Sequence, residues 1–247
     1  MSTPLLDVTD LAKTFGGLKA VDALSFAVHP GETLGLIGPN GSGKTTVLNL
    51  LTAAFAFDAG RVMFDGRSMA GVPAYRVCRA GIARTFQLVR PLKGMSVADN
   101  VLVGRIYGAA AEPIAPARAK VRALLALVGL EGRADMPVDA LTYIDQKRVE
   151  LARALASEPK LLLLDEWLAG LNPTELEAGI ALVRSLKGRG LTIILVEHVM
   201  HAVRSLCDRC IVLSAGRAIA EGPPGAVLAD ADVKRAYLGD ELGDGNA

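Results

Sequence analysis

Nine consecutive residues hold the most specific chemistry in this chain: Gly38-Pro39-Asn40-Gly41-Ser42-Gly43-Lys44-Thr45-Thr46. Their spacing fits G-x-x-x-x-G-K-[ST], with an additional glycine at Gly41. Glycines there let backbone N–H groups turn inward around phosphate oxygens, and a helix starting just afterwards adds its dipole. Lys44 would reach the β- and γ-phosphates of a nucleoside triphosphate, and Thr45 would offer its hydroxyl to Mg2+. Such a cradle needs a carboxylate on a neighbouring buried strand to hold the metal's water shell. Leu161-Leu162-Leu163-Leu164-Asp165-Glu166 supplies it. Asp165 ends an apolar run, where a lone carboxylate is costly without a cation nearby. Glu166 follows directly and is placed to polarise an attacking water as general base.

Hydrophobic spacing indicates the elements that must hold these groups. Thr33 to Ile37 reads as a strand, followed by the Gly-rich loop and a helix from about Lys44 to Ala53. The continuous run Leu161 to Leu164 is expected of a strand buried on both faces. Thr174 and Glu177 have capping-box spacing, Leu176, Ile180, Val183 and Leu186 form an apolar stripe at helical spacing, and Gly188 closes the helix. Thr192 to Val196 and Ile211 to Ser214 read as further strands. This βαβ alternation implies an α/β fold with a parallel sheet between helices. The first thirty residues and Gly60 to Asp65 read as short strands with turns between them, an antiparallel β edge. From about Leu88 to Ala156 the chain reads as helical. Ser96 is a candidate cap with Asp99 at its third position, Pro113 and Pro116 bracket a loop, and the Leu/Ala-rich stretch Val121 to Leu130 ends at Gly129 and Gly132. The expected division is an α/β core with its β edge over 1–87 and 158–238, a helical subdomain inserted at 88–157, and an acidic, Gly-rich, frayed tail over 239–247.

Composition narrows the function classes. The chain has 247 residues, with 27 Lys plus Arg against 26 Asp plus Glu, a formal charge of +1. That balance argues against nucleic acid held mainly by a phosphate-neutralising face. Apolar residues make up 51% and aromatics 4%, and the mean hydropathy is +0.35, so the core is expected to be aliphatic. The longest apolar runs fall far short of the roughly 18 residues a membrane span needs. The N-terminal residues carry no basic segment and reach Asp7 and Asp10 early, which is unlike a secretory signal. Cys78, Cys207 and Cys210 give no disulfide framework and suggest a reducing compartment. Cys207 and Cys210 form a CxxC without a second pair, so they read as helix-end and core residues rather than zinc ligands.

Taken together, these motifs resemble the ATP-binding subunit of an ABC transporter, over about Leu5 to Leu238. The resemblance implies a P-loop NTPase cassette that binds ATP and Mg2+ and hydrolyses ATP. It gives Phe15, in Lys13-Thr14-Phe15-Gly16-Gly17, the place of an aromatic that stacks on adenine. Gln87, in Ala83-Arg84-Thr85-Phe86-Gln87, resembles the glutamine that touches Mg2+ or its water and joins the helical lobe to the core. His198 resembles the switch histidine at the γ-phosphate, whereas His29 and His201 match no motif. Ala169-Gly170-Leu171-Asn172-Pro173 resembles the loop at the dimer seam. Within the family, Ala83 to Gln87, Leu168 to Pro173 and Arg235 to Gly239 are similar to importers of branched-chain amino acids and related polar solutes. That implies separate membrane subunits, an extracytoplasmic solute-binding protein acting indirectly, and a peripheral place on the cytoplasmic face of the inner membrane. Nucleic acid is not an expected partner. ABC proteins that work on DNA or ribosomes typically carry two cassettes or a long coiled coil, and no long heptad run occurs here.

The family's signature loop, Leu-Ser-x-Gly-Gln, is altered here to Leu141-Thr142-Tyr143-Ile144-Asp145. In the family this loop faces the ATP bound by the opposite subunit. Ile144 resists a positive φ, and Asp145 is unfavourable near a triphosphate unless turned away or paired. The expectation is therefore a heterodimer with a second, different ATP-binding subunit, and a regulatory chain with weak hydrolysis is the alternative. Two further departures are Trp167, where a Pro usually follows the catalytic Glu, and Val199, where an Asp often follows the switch His. Trp167 reads as packing against the following loop, with contact across the dimer seam as the alternative.

Overall fold

The computed structural model describes residues 3–109 and 112–243. The chain begins with β1 (Leu6–Phe15), β2 (Leu18–Val28), β3 (Thr33–Ile37), α1 (Lys44–Leu51), β4 (Ala59–Phe64), β5 (Arg67–Ser68), α2 (Ala74–Ala80) and β6 (Ile82–Arg84). It continues with α3 (Val97–Tyr107), α4 (Ile114–Leu127), a 3-10 turn (Val138–Ala140), α5 (Tyr143–Ala156), β7 (Leu161–Asp165), α6 (Pro173–Gly188) and β8 (Thr192–Val196). Last come α7 (Met200–Leu206), β9 (Arg209–Ser214), β10 (Arg217–Gly222), α8 (Pro224–Val227) and α9 (Ala231–Gly243).

Two sheets form. One is six-stranded in the order β10-β9-β3-β8-β7-β6. Its strands from β9 to β6 pair in parallel, and β10 joins β9 antiparallel. The other is the expected antiparallel edge, β2-β1-β4-β5. The central strands β3, β7 and β8 are buried at every position and mostly aliphatic, because both of their faces are covered and side chains alternate between faces. Leu161 and Leu163 face a core shared with β1, β2 and α1, including Leu6, Leu24 and Leu48. Leu162 and Leu164 face the opposite core, shared with α6 and with Val101, Leu125 and Leu151 of the helical segment. The helices of 88–157 thus bury their apolar faces in the same core as one side of the main sheet.

Several element ends differ from the sequence expectation. The cap of α6 is Asn172, whose side chain accepts from Glu175 N while Glu175 reaches back to Asn172 N. The capping box is therefore two residues earlier than Thr174 and Glu177. Pro173 fits the first helical position because no N–H is needed there. Gly188 stays inside α6, and the left-handed glycine is Gly190, φ +83°. α1 stops at Leu51, before Ala53, which has φ +53°. Pro113 and Pro116 do not bracket a loop: Pro113 caps α4 and Pro116 lies in its first turn, where a missing N–H costs nothing. Ser96 caps α3 as expected, accepting from Asp99 N at 3.0 Å. α9 continues to Gly243, so the expected tail over 239–247 is helical over its first part, and 244–247 lie outside the described residues.

Candidate active site

The loops that leave β3, β6, β7 and β8 open on one edge of the parallel sheet, where ligands bind in open α/β folds. Asp165 and Val196, the last residues of β7 and β8, lie side by side in register. The loop after β3 turns on Gly38 (φ +147°), Gly41 (+71°) and Gly43 (+106°). A Cβ on Gly38 would sit 2.1 Å from the Leu213 carbonyl oxygen, and one on Gly43 2.3 Å from that of Ala20. Backbone therefore passes backbone too closely there for any side chain. Lys44 opens α1, and its buried Nζ donates to the carbonyls of Gly38 (2.8 Å) and Pro39 (2.7 Å). Above the loop lies a cleft of about 490 Å³, lined by Asn40 to Thr46 together with Phe15, Gln87 and Glu166. The nine-residue motif, Gln87 and Glu166 are thus brought together.

Phe15, at the end of β1, stands half-exposed on the cleft rim. Phe55 meets its ring edge-on, with centroids 5.5 Å apart. Asp58 fixes the strand end beneath it, accepting from Lys13 Nζ and Thr14 N at 2.7 Å each. The Lys13 ammonium beside Asp58 holds that carboxyl below the usual range.

Glu166 has φ +48°, a conformation L-residues rarely adopt. Its N–H donates to Val196 O at 2.9 Å, and its Oε2 accepts from Gln87 Nε2 at 2.7 Å. The Gln87 segment is itself held: Glu150 of α5 accepts from Phe86 N and Arg90 N on either side of it. Burial pushes the Glu150 carboxyl up, and these two N–H groups pull it back down. Behind Glu166, the buried Lys147 Nζ donates to the carbonyls of Trp167 (3.1 Å) and Ala169 (2.8 Å) and lies 3.4 Å from that of Glu166. Glu197 Oε1 accepts from Leu168 N at 2.7 Å. The loop carrying Glu166 is therefore gripped at its carbonyls by Lys147 and at one N–H by Glu197. Burial lowers the Lys147 ammonium and raises the Glu197 carboxyl to about 7.

Asp165 is buried and does not line the cleft. Its Oδ2 accepts from Arg84 Nη2 at 2.6 Å, while its Oδ1 is buried without a protein partner. An orphaned carboxylate oxygen is costly, and a metal-bound water would satisfy it. The Thr45 hydroxyl and the Gln87 side chain are on the cleft side. Among the described residues, no group of three or more His, Cys, Asp or Glu could hold a metal. This sparse oxygen set suits Mg2+, which takes one or two protein ligands and fills its shell with water and phosphate. Arg84, Lys147 and Glu197 were not identified from sequence. Arg84 ends β6, Lys147 lies among several other charged residues of α5, and Glu197 follows β8, so no spacing in the sequence singles them out.

The altered signature segment folds differently from its expectation. Thr142 caps α5, its Oγ1 accepting from Asp145 N. Ile144 lies in the first helical turn without a positive φ, so the conformational objection to it does not arise. It lines a small half-open pocket together with Trp167 and Leu171. Asp145 is buried, bonded to Thr142 Oγ1 (2.9 Å), Arg148 (3.2 Å) and Arg133. Its charge is turned away and paired. Leu141 is also buried, which leaves Thr142 and Tyr143 exposed at the helix start. The Tyr143 hydroxyl lies 3.4 Å from Gln87 O.

His198 is exposed just past β8 and does not line the cleft. Trp167 is buried and donates through Nε1 to Lys147 O at 3.2 Å, so it packs within its own chain. The segment Ala169 to Pro173 runs over the surface before α6, with Gly170, Asn172 and Pro173 exposed. His201 pairs with Glu177 on the surface at 2.9 Å, and His29 N–H donates to Glu32. Cys207 ends α7, Cys210 lies on β9, and their sulfurs flank Gly35 of β3.

Comparison with known proteins agrees with this geometry. The profile of the ABC transporter family matches residues 21–169, and that of the branched-chain amino acid ATP-binding cassette transporter matches residues 219–242. The high-affinity branched-chain amino acid transport ATP-binding protein LivG of Escherichia coli (strain K12) is 37% identical, covering 97% of this chain and 100% of its own. The protein BraF of Pseudomonas aeruginosa, described in the same words, is 36% identical over the same shares. The crystal structure of the ADP conformation of an ATP-binding cassette of an ABC transporter superposes with a TM-score of 0.88 at 32% identity, covering 96% of this chain and 100% of that one. With a glycine-turned phosphate loop, a strand-end acid pair and these full-length relatives, the chain belongs to the ABC transporter family, as one of its ATP-binding cassettes.

Proposed function

We propose that this cassette hydrolyses ATP to drive uptake of branched-chain amino acids or a related small polar solute through separate membrane subunits. One observation carries the chemistry: Glu166, held by Gln87 at the mouth of the loop cleft. The loop N–H groups and the α1 N-terminus bind the phosphates, and Lys44 offsets their charge. Phe15 offers its ring to adenine. Glu166 takes the proton of an attacking water as that water adds in line to the γ-phosphorus and the bond from phosphorus to the β–γ bridging oxygen breaks, with ADP as the leaving group. Mg2+ would be held by Thr45, Gln87 and, through water, Asp165, and would supply charge neutralisation at the phosphates. His198, outside the cleft in this arrangement, would reach the γ-phosphate only after the cassette closes on its partner.

The second half of each site comes from another cassette, which presents the start of its signature helix. In this chain that surface is Thr142 and Tyr143. We assign the partner to a different chain: this chain departs from Leu-Ser-x-Gly-Gln at Ile144 and Asp145, and a heterodimer contains that departure once. The membrane subunits would dock beside Gln87, next to the exposed Leu88. Among the described residues no helix is long and apolar enough to cross a membrane, in keeping with a peripheral place on the inner face. The substrate class is supported by the 219–242 match and by the full-length relatives. The test is uptake of labelled leucine, isoleucine and valine in cells lacking this chain, together with purification of its complex in mild detergent. Lost uptake, and recovery of two membrane proteins with a second cassette, is expected. Normal uptake of all three would overturn the substrate class, and recovery of this chain paired only with itself would overturn the heterodimer.

A further inference from the structure

We propose that Arg84 is a positioning residue that gives Asp165 a permanent counter-charge, keeping this buried carboxylate in place independently of the metal. The inference rests on reading Asp165 as the acid that orders the Mg2+ water shell, and it goes beyond that reading in naming a second cation there.

Arg84 is the last residue of β6, the strand beside β7. Its guanidinium forks. Nη2 donates to Asp165 Oδ2 and Nη1 to Asn49 Oδ1, each at 2.6 Å. The two ionic side chains are only 6% and 2% exposed. The Phe86 ring lies 5.2 Å from the guanidinium carbon and shields it further. Asn49 belongs to α1, the helix that starts at Lys44. One planar cation therefore joins the metal-side strand, its neighbour and the phosphate-binding helix, a geometry that a lysine cannot reproduce. It occupies only Oδ2, so Oδ1 stays available. Without Arg84, Asp165 would be a buried charge whose only compensation is the metal. Folding and metal binding would then be coupled, and linkage requires the coupling to appear in both.

The test compares the full chain with Arg84→Gln, which keeps a donor but loses the charge, and Arg84→Lys, which keeps the charge. In EDTA, Arg84→Gln is expected to lower Tm by about 10 °C, and with Mg·ADP by less than half of that. Arg84→Lys is expected to lose a similar, smaller amount in both conditions. Mn2+ binding to the ADP-loaded chain, read by electron paramagnetic resonance, is expected to tighten about tenfold in Arg84→Gln and to stay within about threefold in Arg84→Lys. Equal Tm losses for Arg84→Gln with and without metal, or unchanged Mn2+ affinity, would overturn the proposal. If Arg84→Gln does not fold even with Mg·ADP present, the claim that metal can replace Arg84 is overturned as well. Asp165→Asn separates the two ideas: Mn2+ affinity unchanged in that variant counts against the metal reading of Asp165 itself.

Discussion

Gln87 Nε2 donates to Glu166 Oε2 at 2.7 Å, joining the end of the segment that enters the helical lobe to the residue that follows β7. The bond sets the direction of a carboxylate whose backbone is already in a left-handed conformation. A hydrogen bond to a charged group contributes about 1.5–3 kcal/mol. Gln87→Ala should therefore lower kcat by roughly 10- to 100-fold. ATP affinity should change by less than about threefold, because the phosphate loop is untouched. Single-turnover hydrolysis and equilibrium nucleotide binding separate the two effects.

Gly43 and Gly41 lie two residues apart in the same loop and should respond differently to alanine. At Gly43 a Cβ would meet Ala20 O at 2.3 Å, whereas at Gly41 nothing lies within 4 Å. Both have positive φ, which costs about 1–2 kcal/mol in an L-residue. Gly41→Ala should carry only that cost and still bind nucleotide. Gly43→Ala adds a backbone clash, and should lose nucleotide binding and at least about 5 °C of Tm. Isothermal titration with ATP and thermal unfolding of both variants read the contrast.

Glu197 should make stability depend on pH. Burial, together with the nearby Glu166 charge, raises its carboxyl to about 7, against the pull of Leu168 N and Lys147. An unfolded glutamate titrates near 4.3. Below that value both states hold the proton. As pH rises towards 7 the unfolded chain releases it while the folded chain keeps it, so stability falls, by about 4 kcal/mol in all. Glu197→Gln retains an acceptor for Leu168 N and has no charge to bury. Urea unfolding at pH 5 and pH 8 should show the variant gaining on the parent chain at pH 8. An equal difference at both values would remove this assignment.

Much of the site was legible in the sequence because its backbone and strand ends are local. The phosphate loop needs glycines at fixed offsets, and Asp165 ends an apolar run that only a doubly covered strand explains. The antiparallel edge and the parallel core were equally plain from their spacing. What escaped depends on contacts between distant segments. Arg84 meets Asp165 across 81 residues, and Glu197 meets Leu168 across 29. Asp145 read as a charge that could face a triphosphate, because its partners Arg133 and Arg148 emerge only once α5 is folded. The capping box was misplaced by two residues because Thr174 and Glu177 have the same spacing as Asn172 and Glu175, and only Pro173 distinguishes them.

The most direct measurement is ATP turnover by the assembled complex carrying Glu166→Gln, alongside ATP binding to the same variant. Glu166 as general base requires turnover to fall by roughly 10²- to 10⁴-fold while ATP still binds, since the loop, Lys44 and Phe15 are unchanged. Turnover equal to that of the parent complex would contradict the assignment and leave this chain as a nucleotide-binding subunit whose own site does not hydrolyse.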